Sequence, residues 1–134
     1  VADLVAELDA LAPQLEALVQ ALPALRSPEE AEAVEAMSHC LRELQRMAPD
    51  LRLSRERFFA ASAEREERHL ALRQLLHDIR SPASVLYSYL QLIGRGLLFA
   101  RASDQARFHA ERLVDELRFL RDEHLQTPPL HAAR

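Results

Sequence analysis

The sequence predicts an all-α chain, and three observations carry that expectation. The 134 residues include 2 Gly, 2 Tyr and no Trp among abundant Leu, Ala, Arg and Glu, a composition that favours helices and lacks the residues sheets use most. Apolar residues recur at alternating spacings of three and four along most of the chain, which is the repeat of one helix face. Prolines and small polar residues punctuate those stretches where helices would start and stop. The expected architecture is an N-terminal helical hairpin over 1–50, then a long-helix hairpin over 51–126 that pairs across a two-fold axis into a dimeric four-helix bundle. A frayed tail over 127–134 follows.

The first helix carries Leu4, Leu8, Leu11, Leu15, Leu18, Leu22 and Leu25 on one seam. Pro13 and Pro23 interrupt it, and an interior proline costs about 3 kcal/mol, so a kink or a fresh start near Pro13 and an end near Pro23 are expected. The second helix opens at Ser-Pro-Glu-Glu, with Ser27 as N-cap, Pro28 at the first helical position and Glu30 closing a capping box. Its seam is Val34, Met37, Leu41, Leu44 and Ala48, and Pro49 is expected to stop it. Asp50 is then placed to cap a third, much longer helix.

That third helix should run from about Leu51 to somewhere between Ile93 and Ala100. From Leu72 its seam is Leu72, Leu76, Ile79, Ala83, Leu86, Leu90, Ile93 and Leu97, about 38 Å of helix if continuous. Upstream the same register lands on Ser62, Arg65 and His69, so a solvated helical connector is expected there, ahead of the alternative of a coiled coil held weakly enough to change register. Gly94 and Gly96 mark its end, and Ser103 or Asp104 caps a fourth helix with seam Ala106, Ala110, Leu113, Leu117 and Leu120. Pro128 and Pro129 then break structure.

Charge and composition exclude several function classes. All 17 basic residues are arginines interspersed with 21 acidic ones, for a net charge of −4 and no basic block for nucleic acid. Cys40 is the single cysteine, so no disulfide framework exists and a reducing, cytoplasmic compartment is expected. No apolar run approaches the roughly 18 residues of a membrane span, and the amino end shows no signal-peptide pattern. Cys40 beside His39 points about 100° away from it and has no second pair at ligand spacing, so no metal site is expected. His69, His109, His124 and His131 fall into no metal-binding spacing either. Phe58 and Phe59 are expected to anchor the core.

The residues with chemical character lie in the third helix. His77 follows the seam residue Leu76 by one position, about 100° around, and so sits at the flank in reach of solvent. Asp78 is beside it, and Pro82 cannot donate a hydrogen bond back to the Asp78 carbonyl, so a bend within a turn of His77 is expected.

The run His77-Asp78-Ile79-Arg80-Ser81-Pro82 resembles the H-box of sensor histidine kinases, in which histidine is followed by an acidic residue, a basic residue, a small polar residue and proline. Ser88-Tyr89 and Gln91-Leu92-Ile93 continue the likeness, and the fourth helix stands where that family has the second helix of its dimerisation and phosphoacceptor hairpin. The likeness covers about Glu64 to Glu123; Ala83 and Ser81 depart from the commoner residues, and no ATP-binding domain follows Glu123.

The resemblance implies a histidine phosphoacceptor and dimerisation module of two-component signal transduction. His77 would be the nucleophile, since neutral imidazole is available near its usual pKa of about 6.5. Asp78 would fix its tautomer, and Ser81 would orient a hydrolytic water. Arg80, Ser84, Tyr87 and Ser88 would meet the partner. Implied partners are a second copy of the chain, a response-regulator receiver domain and an ATP-binding kinase domain in cis or trans. The chain has no Gly-rich phosphate loop, so ATP and Mg would enter only through that separate domain. Two rival readings accompany this one: a non-catalytic regulator that uses the bundle as a docking surface, and a structural coiled-coil adaptor. A rival architecture places all four helices in one monomeric bundle.

Overall fold

A computed structural model describes residues 3–60 and 65–128. Four α-helices make up its regular structure: α1 (Leu4–Ala21), α2 (Pro28–Ala60), α3 (Arg65–Gly94) and α4 (Asp104–His124). No strand occurs among the described residues. No helix among them is long and apolar enough to cross a membrane.

Local sequence accounts for the helix starts. The Asp3 side chain accepts from the Val5 amide and opens α1. At α2 the capping box is complete: Ser27 Oγ accepts from the Glu30 amide at 3.2 Å, while Glu30 Oε1 accepts from the Ser27 amide at 2.9 Å. Ser103 caps α4 by accepting from the Ala106 amide at 3.1 Å.

Each helix packs on two others, in the cyclic order α1, α2, α3, α4 and back to α1. Contacts at the two ends fix the directions. At one end Arg101, between α3 and α4, donates to the Leu25 carbonyl and pairs with Glu30 at 3.3 Å. At the other, His124 meets Glu7 at 2.6 Å and Arg52 meets Asp3 at 3.2 Å. Neighbouring helices are therefore antiparallel, and Phe58 near the end of α2 packs 5.7 Å from the His69 ring near the start of α3.

The seams converge on one core. Leu8 and Leu18 of α1, Met37 and Leu44 of α2, Leu76 and Ile79 of α3, and Ala110 and Leu113 of α4 are all fully buried in a single cluster. The stripe that an isolated α3–α4 hairpin would leave in water is thus covered by α1 and α2 of the same chain. Burial of this kind is worth roughly 1.5–3 kcal/mol per large aliphatic side chain, enough to hold helices of modest propensity.

Three expectations about boundaries need correction. Pro49 does not end the second helix: α2 runs through it to Ala60, so Asp50 caps nothing and the 50/51 division falls inside a helix. Pro49 is solvent-exposed while Ala48 and Leu51 on either side are buried, so its ring takes no room in the core and the packing on both sides carries the helix past it. The expected connector therefore divides: residues 51–60 belong to α2, 65 onward to α3, and Ser62 lies outside the described residues. Leu25 and Leu97, assigned to seams, lie beyond helix ends and are largely exposed. Of the phenylalanine pair, Phe58 is buried and Phe59 half-exposed.

The α3–α4 connection begins where expected. Gly94 closes α3, and a Cβ there would meet Glu111 Cγ at 2.9 Å, so glycine permits the close approach of α4. Gly96 holds φ +74°, in the left-handed region that favours it. Phe99 also has positive φ, 55°, and its buried side chain anchors that turn in the core.

Candidate functional site

The site is built on α3, and its placement follows from the seam. Leu76 and Ile79 point into the core at 0% exposure, which turns the His77 side chain outward with 80% of its surface in solvent. Asp78, next on the same outer face, is half-exposed, and its Oδ1 stands 3.6 Å from His77 Nδ1. That separation exceeds a direct hydrogen bond and closes to one with a small rotamer change. Gln74, one turn earlier, donates its amide to the same Oδ1 at 2.9 Å and so fixes the carboxylate beside the imidazole. A carboxylate held on the Nδ1 side favours the tautomer that carries its proton there, leaving Nε2 free as nucleophile.

Ser81 is exposed one turn beyond His77, on the same face. Pro82 lies inside α3, which remains one continuous helix from Arg65 to Gly94. Ser84 and Ser88 carry the exposed face onward with small side chains.

Arg80, Ser84, Tyr87 and Ser88, the four residues expected to meet a partner, all line one groove between α3 and α4, about 260 Å³ in volume. Leu117 and Arg121 form the opposite wall, and Leu125 and Gln126 close its end. Tyr87 is held there by α4: its hydroxyl accepts from Arg118 Nη2 at 2.9 Å, and the Arg118 and Arg121 guanidinium groups lie 5.9 and 6.0 Å from the ring centre. The groove thus offers an aromatic ring flanked by cations, and the largely exposed His77 lies outside its lining, one turn before Arg80.

Arg80 does not point its charge at His77. Its Nε donates to the Leu125 carbonyl at 2.7 Å and its Nη2 to Thr127 Oγ1 at 3.0 Å. Arg55 of α2 donates to the carbonyls of His124 and Gln126, and His69 Nε2 lies 3.0 Å from the Pro128 carbonyl oxygen. Burial first, and the neighbouring Arg80 charge second, push the Arg55 pKa below its ordinary value. The segment after α4 is therefore stapled to α2 and α3 through residue 128, while 129–134 lie outside the described residues. Sequence reasoning did not single out Arg55 or His69 for this task, and no local signal marks them, because the partners are 69 and 59 positions away.

Elsewhere the reactive residues are packed or scattered. Cys40 is buried, and burial first and the Glu43 charge second push its thiol pKa up. His124 is buried against Glu7. Among the described residues no group of three or more His, Cys, Asp or Glu side chains could hold a metal ion. No protein-family model, no curated protein and no solved structure matches the chain.

Proposed function

We propose that the protein is a histidine phosphoacceptor module of two-component signalling that exchanges a phosphoryl group between His77 and the aspartate of a receiver domain. One observation carries the proposal: His77 projects largely into solvent from α3, with a carboxylate held by Gln74 on its Nδ1 side and a groove between α3 and α4 that begins at Arg80, one turn away. Nε2 attacks phosphorus in line, the bond from phosphorus to the leaving oxygen breaks, and Asp78 offsets the positive charge that develops on the ring. Ser81 would orient a water that hydrolyses the phosphoryl group of the receiver domain to inorganic phosphate. ATP and Mg belong to a separate ATP-binding domain in this scheme, acting in cis or trans.

The homodimer implied by the resemblance is part of the proposal. With the α3 and α4 seams closed inside the chain, a two-fold contact would use outer faces, such as the α4 face that exposes Phe108 and Phe119. Sedimentation at high micromolar concentration decides it, a strict monomer removing the dimer. A cytoplasmic location accompanies the proposed signalling role.

The second reading, a non-catalytic docking bundle, is favoured by the engagement of Arg80 with the segment after α4 rather than with His77. Labelling with phosphoramidate, a small phosphoryl donor, separates the two. The phosphoacceptor reading expects an acid-labile phosphoryl group on His77 ahead of His39, which is also exposed, and none at that position in His77→Gln. Labelling of His77 no faster than His39 would favour docking alone.

A further inference from the structure

Arg80 and His77 stand three positions apart on α3, and residues at that spacing are surface neighbours about 5–6 Å apart at Cβ. Yet Arg80 is engaged in the other direction, by the Leu125 carbonyl and the Thr127 hydroxyl. All of these acceptors are neutral. Among the described residues neither Arg80 nor Arg55 forms an ion pair with a carboxylate. These oxygens carry no charge to offset that of the guanidinium, whereas an anion would add Coulomb attraction and a bidentate geometry, so its hold on the segment is open to competition.

We infer that Arg80 is shared between two anchors: the segment Leu125–Pro128 in the unmodified protein, and an anionic group at His77 when one is present. The inference rests on the reading of His77 as a phosphoryl acceptor. A phosphoryl group on Nε2 places two negative charges within reach of Arg80 and draws it off Leu125 and Thr127. Arg55, His69 and the buried Leu125 side chain then retain the segment, and the Gln126–Thr127 stretch at the end of the groove loosens. The state of His77 is thereby transmitted to the surface a partner meets. The coupling is reciprocal: a partner that lifts the segment away returns Arg80 to His77 and stabilises the phosphorylated form.

Amide hydrogen exchange at Leu125, Gln126 and Thr127 of the full chain tests this without any phosphoryl transfer. Leu125 is a sensitive probe because its amide closes the last turn of α4 on the Arg121 carbonyl. Arg80→Gln is expected to speed exchange there about tenfold. His77→Glu, which sets one negative charge at the same position, should speed it several-fold while His77→Gln does not, and should add nothing in the Arg80→Gln background. Unchanged exchange in Arg80→Gln overturns the hold itself. Equal exchange in His77→Glu and His77→Gln overturns the competition. Because no arm depends on labelling, a failure here is distinct from a failure of His77 to accept phosphate.

Discussion

Replacing Leu18 by alanine tests whether the four helices form one cooperative unit or two hairpins. Leu18 lies on α1 with 0% exposure, in the same cluster as Leu76 and Ile79 of α3. Truncating a buried leucine costs about 3 kcal/mol where the site relaxes partly. For a chain of this length that corresponds to a fall in melting temperature of roughly 10 °C. The natural probes separate the halves of the chain: both tyrosines, Tyr87 and Tyr89, lie on α3, and the chain has no tryptophan. Urea unfolding followed by tyrosine fluorescence therefore reports on α3, and far-UV circular dichroism reports on all four helices. In one core, Leu18→Ala shifts both transitions together by the same amount. A dichroism transition that splits, with the fluorescence transition unmoved, would refute the single core and restore an independent N-terminal hairpin.

Other perturbations follow from the same contacts. Pro49→Ala should leave α2 continuous and raise stability by about 1–3 kcal/mol, since it restores a helical hydrogen bond at an exposed position; urea midpoints measure it. The backbone hydrogen bond from Ser27, ahead of the Arg101 charge, holds the Glu30 carboxyl below the usual glutamate range. A depressed folded-state pKa stabilises the protein above the unfolded value, and that contribution disappears as pH falls through the folded value. Thermal melts on acidification should therefore drop less steeply in Glu30→Gln than in the native chain. Cys40 should resist a thiol reagent in the folded state and react fully in denaturant, as burial and a raised pKa dictate.

The legible parts of the fold were those set by local chemistry or by repeat. The Leu4-to-Leu22 seam, the Ser27–Glu30 box and the Ser103 cap each need only residues within a few positions, and each is formed. Pro49 misled because local cost was weighed without tertiary burial, which supports α2 through Ala48 and Leu51 on both sides of it. The α3 and α4 seams indicated that a stripe must be covered but held no information about whose helices cover it. At the site, the exposure of His77 followed from its place one residue past Leu76, and Ser84, Tyr87 and Ser88 fell into one groove because their spacing keeps them near one face. The engagement of Arg80 was illegible: its partners lie 45 and 47 positions away, and a carbonyl acceptor has no signature in a sequence.

Transfer from a phosphorylated receiver domain measures phosphoryl exchange at His77 directly. Incubated with its phosphorylated cognate receiver, the native chain should gain an acid-labile, alkali-stable phosphoryl group at His77 while the receiver loses its own. His77→Gln should gain none and keep its fold. Labelling that persists in His77→Gln, or a native chain that takes up nothing while binding the receiver, would contradict the account.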